Sequence, residues 1–171
     1  RLPSNIRVLL TNGTVDYVSM ETYVARSLSQ EWVGGWGNYS GGINAFKAGA
    51  VAVRSYAASY VNSPQFSTND ICATTSCQVY RPTSNANSEA GAAQTSGWVV
   101  LGSSGAIARS EYSAENNSLG FSCGDGYTQP AEGCIYDPVC SGETRSGHGR
   151  GMCQWGTVKW ATGLKFPGNW T

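Results

Sequence analysis

The sequence predicts an α+β fold in one domain over residues 1–171, with mixed strands, a long central helix and disulfide-stapled C-terminal loops. Three observations lead there. Two β-rich runs near the N-terminus flank Asn12-Gly13, a dipeptide favoured in tight hairpin turns. Apolar residues recur at helical spacing from Ile43 to Tyr60. Six cysteines, an even set, fall after residue 70 among Ser, Thr, Asn and Gly. Helical and extended stretches mix without the regularity of βαβ units, which sets the chain apart from parallel α/β folds.

The elements follow in order. Ile6 to Leu10 and Val15 to Ser19 read as the two arms of a hairpin. Ser19 is suited to cap a helix from Met20 to Ser29, on which Tyr23, Val24, Ser27 and Leu28 share one face. Residues 32–42 carry five glycines and read as a mobile loop bearing Trp32 and Trp36. On the long helix, Phe46, Ala50, Val53, Ala57 and Tyr60 form the apolar stripe, and Lys47, Val51, Arg54 and Ala58 form a second one. Residues 70–80 read as an irregular loop feeding a short strand. Ser88 to Ser96 reads as a helix stopped by Gly97. Trp98 to Leu101 and Ala106 to Ser113 pair around Ser103-Ser104-Gly105. Residues 115–147 read as cystine-stapled loops, and Gly151 to Thr162 as a last helix ending at Gly163.

Composition narrows the function. Eleven basic residues balance 11 acidic ones and are scattered, which argues against a nucleic-acid surface. No apolar run approaches the roughly 18 residues that span a bilayer, so the chain is not membrane-spanning. It begins at Arg1 with neither Met nor a signal-like segment and reads as a processed or trimmed product. The cysteines suggest a secreted or extracytoplasmic setting, such as cell wall or periplasm. Proximity in sequence favours Cys72–Cys77 and Cys134–Cys140, leaving Cys123–Cys153, although sequence alone does not choose a pairing. A zinc site is the rival reading of these thiols; irregular spacing without a CxxC pair leads us to expect no metal and no cofactor.

The only histidine, His148, lies in Gly147-His148-Gly149-Arg150-Gly151-Met152-Cys153-Gln154-Trp155-Gly156. Glycines there allow positive φ and close approach of a second backbone segment. A lone imidazole can donate, accept or titrate near neutral pH. It also limits the chemistry, since any Ser-His-Asp triad would have to use this residue.

Taken in order, several motifs resemble the SpoIID/LytB domain family of bacterial cell-wall biology. They are Glu21-Thr22-Tyr23-Val24, then Gln30-Glu31-Trp32 where the family has a Ser-Glu-Met-Pro stretch. Asn44 to Tyr56, NAFKAGAVAVRSY, is similar to the family's ALKAQAVAARTY helix. Thr74 to Tyr80, TTSCQVY, is similar to TTHCQVY. Tyr112-Ser113-Ala114 resembles its YSAS turn, and GHGRGMCQWG resembles GHGVGMSQYGA. The resemblance implies peptidoglycan glycan strands as substrate, with a cell-wall amidase as a further partner for some members. It implies a lytic transglycosylase that cuts the MurNAc–GlcNAc bond and leaves 1,6-anhydroMurNAc ends. Two other readings stay open: a non-catalytic amidase enhancer that only binds peptidoglycan, and a muramidase-type hydrolase assisted by Glu21 or Asp16.

A lytic transglycosylase needs one carboxylic acid, because the sugar's own C6 hydroxyl is the nucleophile. Glu31 aligns with the family's catalytic glutamate. It also stands at a helix end beside Trp32, where an apolar neighbour favours the protonated form. Trp32 and Trp36 suit stacking on a sugar's apolar face. Lys47 and Arg54 suit a lactyl carboxylate, or an ion pair with Glu31 or Glu21. Tyr56, Gln78, Tyr80, Ser113, His148 and Gln154 complete the expected substrate-binding set. The chain departs from the family pattern at Ser76, where a His often precedes the Cys. That loss weakens a metal there and favours Cys72–Cys77. Val33 replaces the proline that follows the acid.

Overall fold

The computed structural model describes residues 1–115, 138–140 and 143–163. The chain forms two compact units, Arg1–Gly35 with Phe46–Arg109, and Trp36–Ala45 with Ser110–Thr171.

In the first unit β1 (Asn5–Leu9) runs antiparallel to β2 (Val15–Ser19), with Asn5 opposite Ser19 and Leu9 opposite Val15. Gly13 takes a φ of 84° in the connecting turn, and Asn12 Oδ1 accepts the Thr14 N–H at 3.0 Å. The expected Asn-Gly turn therefore forms, favoured by that side-chain bond and by the glycine's left-handed φ. A third strand, β3 (Ile71–Cys72), adds in parallel on the far side of β1, giving the order β2-β1-β3. Asp70 fixes its register by accepting the Arg7 backbone N–H at 2.7 Å and the Arg7 guanidinium at 2.7 Å. Ile6, Val8 and Ile71 are fully buried while Val15 and Tyr17 are exposed, so one face of the sheet carries the core.

Helix α1 (Met20–Glu31) starts where expected. Ser19 Oγ accepts the Thr22 N–H at 3.2 Å, an N-cap bond that satisfies one orphan donor. Helix α2 (Ile43–Asn62) contributes its body from Phe46 onward to this unit, and Phe46, Ala50, Val53 and Ala57 are completely buried. Helix α3 (Ala86–Gln94) begins at a reciprocal capping box between Asn85 and Ser88. Two glycines let these helices approach closely. The Trp32 ring and Leu28 lie where a Cβ on Gly49 would project, and the Phe46 backbone lies where one on Gly91 would.

The structure departs from the sequence reading at several points. Residues 34–38, expected to be irregular, form a short 3-10 turn (Gly34–Asn38). The short strand expected at the end of residues 70–80 is instead Ile71–Cys72; residues 78–80 are held through side chains and through the amides of Val79 and Tyr80 rather than by a ladder. The hairpin expected over 98–113 shrinks to a bridge between Leu101 and Ile107. Tyr112–Ser113 (β4) instead pairs in parallel with Met152–Cys153 (β5), a contact between distant residues that no local pattern encodes.

Strands β4 and β5 lie in the second unit, followed by α4 (Gln154–Thr162). The helix starts three residues later than expected, since Gly151 at φ 72° must pass against the Glu111 carbonyl. It ends on Gly163 in the left-handed region, as the sequence suggested. Val139, Cys140 and Cys153 are buried together, with Trp160 packed on them.

Cys72 and Cys77 form a disulfide. Cys140 and Cys153 are buried thiols, so neither takes part in the expected Cys134–Cys140 or Cys123–Cys153 bridge; Cys123 and Cys134 lie outside the described residues. No described helix is long and apolar enough to cross a membrane.

Gly91→Ala separates propensity from packing. Helix propensity alone favours Ala by about 1 kcal/mol. The Phe46 backbone, 2.9 Å from the added Cβ, cannot move aside like a side chain end. We expect a net loss of about 1–3 kcal/mol in urea unfolding; a gain in stability would refute the packing argument.

Candidate active site

The first unit gathers Glu31, Trp32, Lys47, Arg54, Tyr56, Gln78 and Tyr80. Glu31 is the last residue of α1, and its Oε1 accepts the Val79 N–H at 2.8 Å. That bond crosses 48 positions of sequence and orients the carboxyl group. Trp32 follows as the helix C-cap, with its N–H on the Leu28 carbonyl at 2.9 Å. Its ring is only 2% exposed and packs toward Gly49 of α2. Sequence reasoning put this ring outside as a stacking platform; the missing side chain at Gly49 makes room for it inside.

Gln78 and Tyr80 flank Val79 and both point inward. Gln78 Oε1 accepts the Tyr23 hydroxyl at 2.7 Å, and Gln78 Nε2 donates to the Val53 carbonyl at 3.4 Å. Tyr80 stacks on Tyr23 with ring centres 5.3 Å apart. Its hydroxyl donates to Asp16 Oδ2 and accepts from Arg26 Nη1, both at 2.7 Å. Burial pushes the Tyr80 phenol up to about 12 and pushes Tyr23 higher still, so both stay neutral. These side chains face α1 and α2, and they clamp the segment whose amide holds Glu31.

Arg54 is completely buried and fully engaged. Its Nε and Nη2 bind the two oxygens of Glu21 at 3.0 and 2.6 Å. The same guanidinium donates to the carbonyls of Ala92 at 3.2 Å and Trp98 at 3.0 Å. Of the roles offered for Arg54, the structure takes the ion pair with Glu21. Lys47 is half-buried and enters no ion pair among the described residues.

Tyr56 belongs to a different cluster. Its hydroxyl lies 3.2 Å from that of Tyr60, and Arg109 stands over both rings at 5.2 and 5.0 Å. Burial raises the Tyr56 phenol to about 12, with Arg109 pulling the other way. This arrangement is a cation–π clamp of α2 on the segment that closes the unit.

Trp36, Ser113, His148 and Gln154 belong to the second unit. Trp36 is buried with its ring 4.7 Å from that of Trp155. Ser113 sits on β4 opposite Cys153, and Gln154 opens α4. His148 Nδ1 accepts the Arg150 N–H at 3.0 Å, and Arg150 pairs with Glu111 at 2.6 Å. Partial burial and the Arg150 charge lower the His148 pKa, so the imidazole is neutral at pH 7. Among the described residues one group has ligand atoms spaced for a metal: Glu115, Cys140 and Cys153.

Residues 11–101 match the model of the SpoIID family, described as stage II sporulation protein. The chain belongs to the SpoIID family. This is a cell-wall family. No curated protein matches the chain. The SpoIID match covers Glu31, Lys47, Arg54, Tyr56, Gln78 and Tyr80, and stops before Ser113, His148 and Gln154.

Sequence reasoning about this SpoIID chain missed Val79, whose contribution is a backbone N–H and leaves no trace in residue identity. It also missed Arg109, whose partner Tyr60 lies 49 positions away, and the pairing of Asp16 on β2 with Arg26 on α1. Helical spacing did find Arg54, but not the depth of its burial.

Two measurements check this arrangement. Glu21→Gln leaves a buried guanidinium without its counter-charge; Glu21 itself keeps 37% of its side chain in water. We expect a loss of about 3 kcal/mol in denaturant unfolding, the lower end for breaking a buried pair. Because His148 is the only histidine, its ring protons titrate alone by NMR. The midpoint should fall below 6.5. A folded pKa below the unfolded value means this group's contribution to stability is complete above the unfolded pKa and declines as pH falls below it. A midpoint at or above 6.5 would contradict the environment described here.

Proposed function

We propose that this SpoIID chain is a peptidoglycan lytic transglycosylase with Glu31 as its single general acid and base. In this reading Glu31 protonates the glycosidic oxygen between MurNAc and GlcNAc as that bond breaks. The resulting carboxylate then takes the proton of the MurNAc C6 hydroxyl, which closes on C1 to form the 1,6-anhydro ring. No water is activated, so one carboxyl group suffices, whereas a hydrolase would normally enlist two.

The observation that carries the reading is the state of the three carboxylates. Glu31 is oriented at a helix terminus by the Val79 N–H at 2.8 Å. Glu21 is bound by Arg54, and Asp16 by Arg26 and Tyr80. The two groups a hydrolytic mechanism would recruit are thus already engaged by cations of the fold. Lys47 supplies a cation for the lactyl carboxylate of MurNAc. The Cys72–Cys77 disulfide fits a secreted or extracytoplasmic protein acting on the cell wall.

The test is mass spectrometry of soluble products from intact and amidase-stripped peptidoglycan, with Glu31→Gln beside the parent protein. We expect anhydro ends, and a fall in product release of about 100-fold or more in the variant with sacculus binding retained. Reducing ends carrying one added water would point to the hydrolase. Absence of products from both substrates, with retention on the sacculus, would point to a binding protein that assists an amidase.

A further inference from the structure

Cys140 and Cys153 are 0% and 1% exposed, and their sulfurs lie within 4.8 Å of one another. Both converge on Gly156. A Cβ there would stand 3.0 Å from Cys140 Sγ and 3.2 Å from Cys153 Sγ, so the helix leaves this space to the two sulfurs. We infer that Cys140 and Cys153 are joined by a disulfide in the mature protein. The bond ties residues 138–140 to the N-cap of α4, the residue that directly follows the His148 loop and pairs through β5 with β4.

The chemistry balances as thiol–disulfide exchange. Two S–H bonds are lost and one S–S bond forms. The two protons and two electrons pass to an oxidised protein dithiol of the same compartment, which ends as two thiols. Exchange takes place while the segment is still accessible during folding. Val139 and Trp160 then cover the site, and reductants no longer reach either sulfur. The Cys72–Cys77 bond in the same chain is consistent with a compartment where such oxidants operate.

A divalent metal on Glu115, Cys140 and Cys153 is the competing arrangement. Lys159 weighs against it. Its ammonium is 2.8 Å from Glu115 Oε1 and 3.0 Å from Glu143 Oε1, so the carboxylate already has its cation. A dication bound there would stand beside that ammonium in a buried site, where like charges repel strongly.

Peptide mapping of the intact, unreduced protein tests the inference. Trypsin cleaves after Arg145 and Arg150, and chymotrypsin after Tyr127 and Tyr136, which separates Cys123, Cys134, Cys140 and Cys153 from one another. The expected product is residues 137–145 linked to the peptide that starts at Gly151, two hydrogens lighter than their sum and split by reductant. Linkage of either cysteine to Cys123 or Cys134 overturns the inference. So does alkylation of both thiols in denatured, unreduced protein, with or without stoichiometric zinc released to a chelator. Cys153→Ser gives an independent check. Cys140 should become the one new alkylatable thiol in the denatured, unreduced variant; continued protection of Cys140 would overturn the pairing.

Discussion

The first unit depends on one buried cation. Arg54 has no contact with water, and a guanidinium in that position is tolerated only if its donors are met. They are met from three directions: the Glu21 carboxylate at the start of α1, the Ala92 carbonyl near the end of α3, and the carbonyl of Trp98. The charge thereby couples three separate elements to the middle of α2. Removing any one of them exposes or orphans the others' polar groups, so these elements must dock together. The position of α1, and with it Glu31 at its far end, follows from that docking.

A second layer of polar contacts turns this frame into a defined carboxyl position. Residues 78–80 form no ladder, yet they are fixed because Gln78 and Tyr80 each have buried partners on α1 or α2. Val79 between them has its amide aimed at Glu31. Residues expected from the sequence to bind substrate are thus bound up in supporting the Glu31 carboxyl. Gln78, Tyr80 and Arg54 hold the scaffold, and Trp32 fills the space that Gly49 leaves.

Part of the fold was legible because its determinants are local. Asn12-Gly13 encodes its turn and Ser19 its cap through bonds within a few residues, and Gly163 its stop through its left-handed backbone. The periodic stripe on α2 encodes which face is buried. The pairing of β1 with β3 was not legible, since Asp70 and Arg7 meet across 63 positions. Nor was the pairing of β4 with β5, where Gly151 is required only because Glu111 passes beside it. In the candidate site the same division holds. Glu31 could be singled out by residue type, helix end and family resemblance, but its hydrogen-bond partner is a backbone group without sequence signature.

The sequence by itself determined membership of the SpoIID family, the mixed class of secondary structure and the helix limits near Ser19 and Gly163. These properties rest on residue identity and short-range bonding. Tertiary structure alone decided which polar residues face the core and which carboxylates are held by cations. It also decided that Trp32 is interior and that Cys140 lies beside Cys153. The physical reason is that burial of a charge, a ring or a thiol is a property of the surroundings. Those surroundings are assembled from residues tens of positions apart, and no local pattern records them.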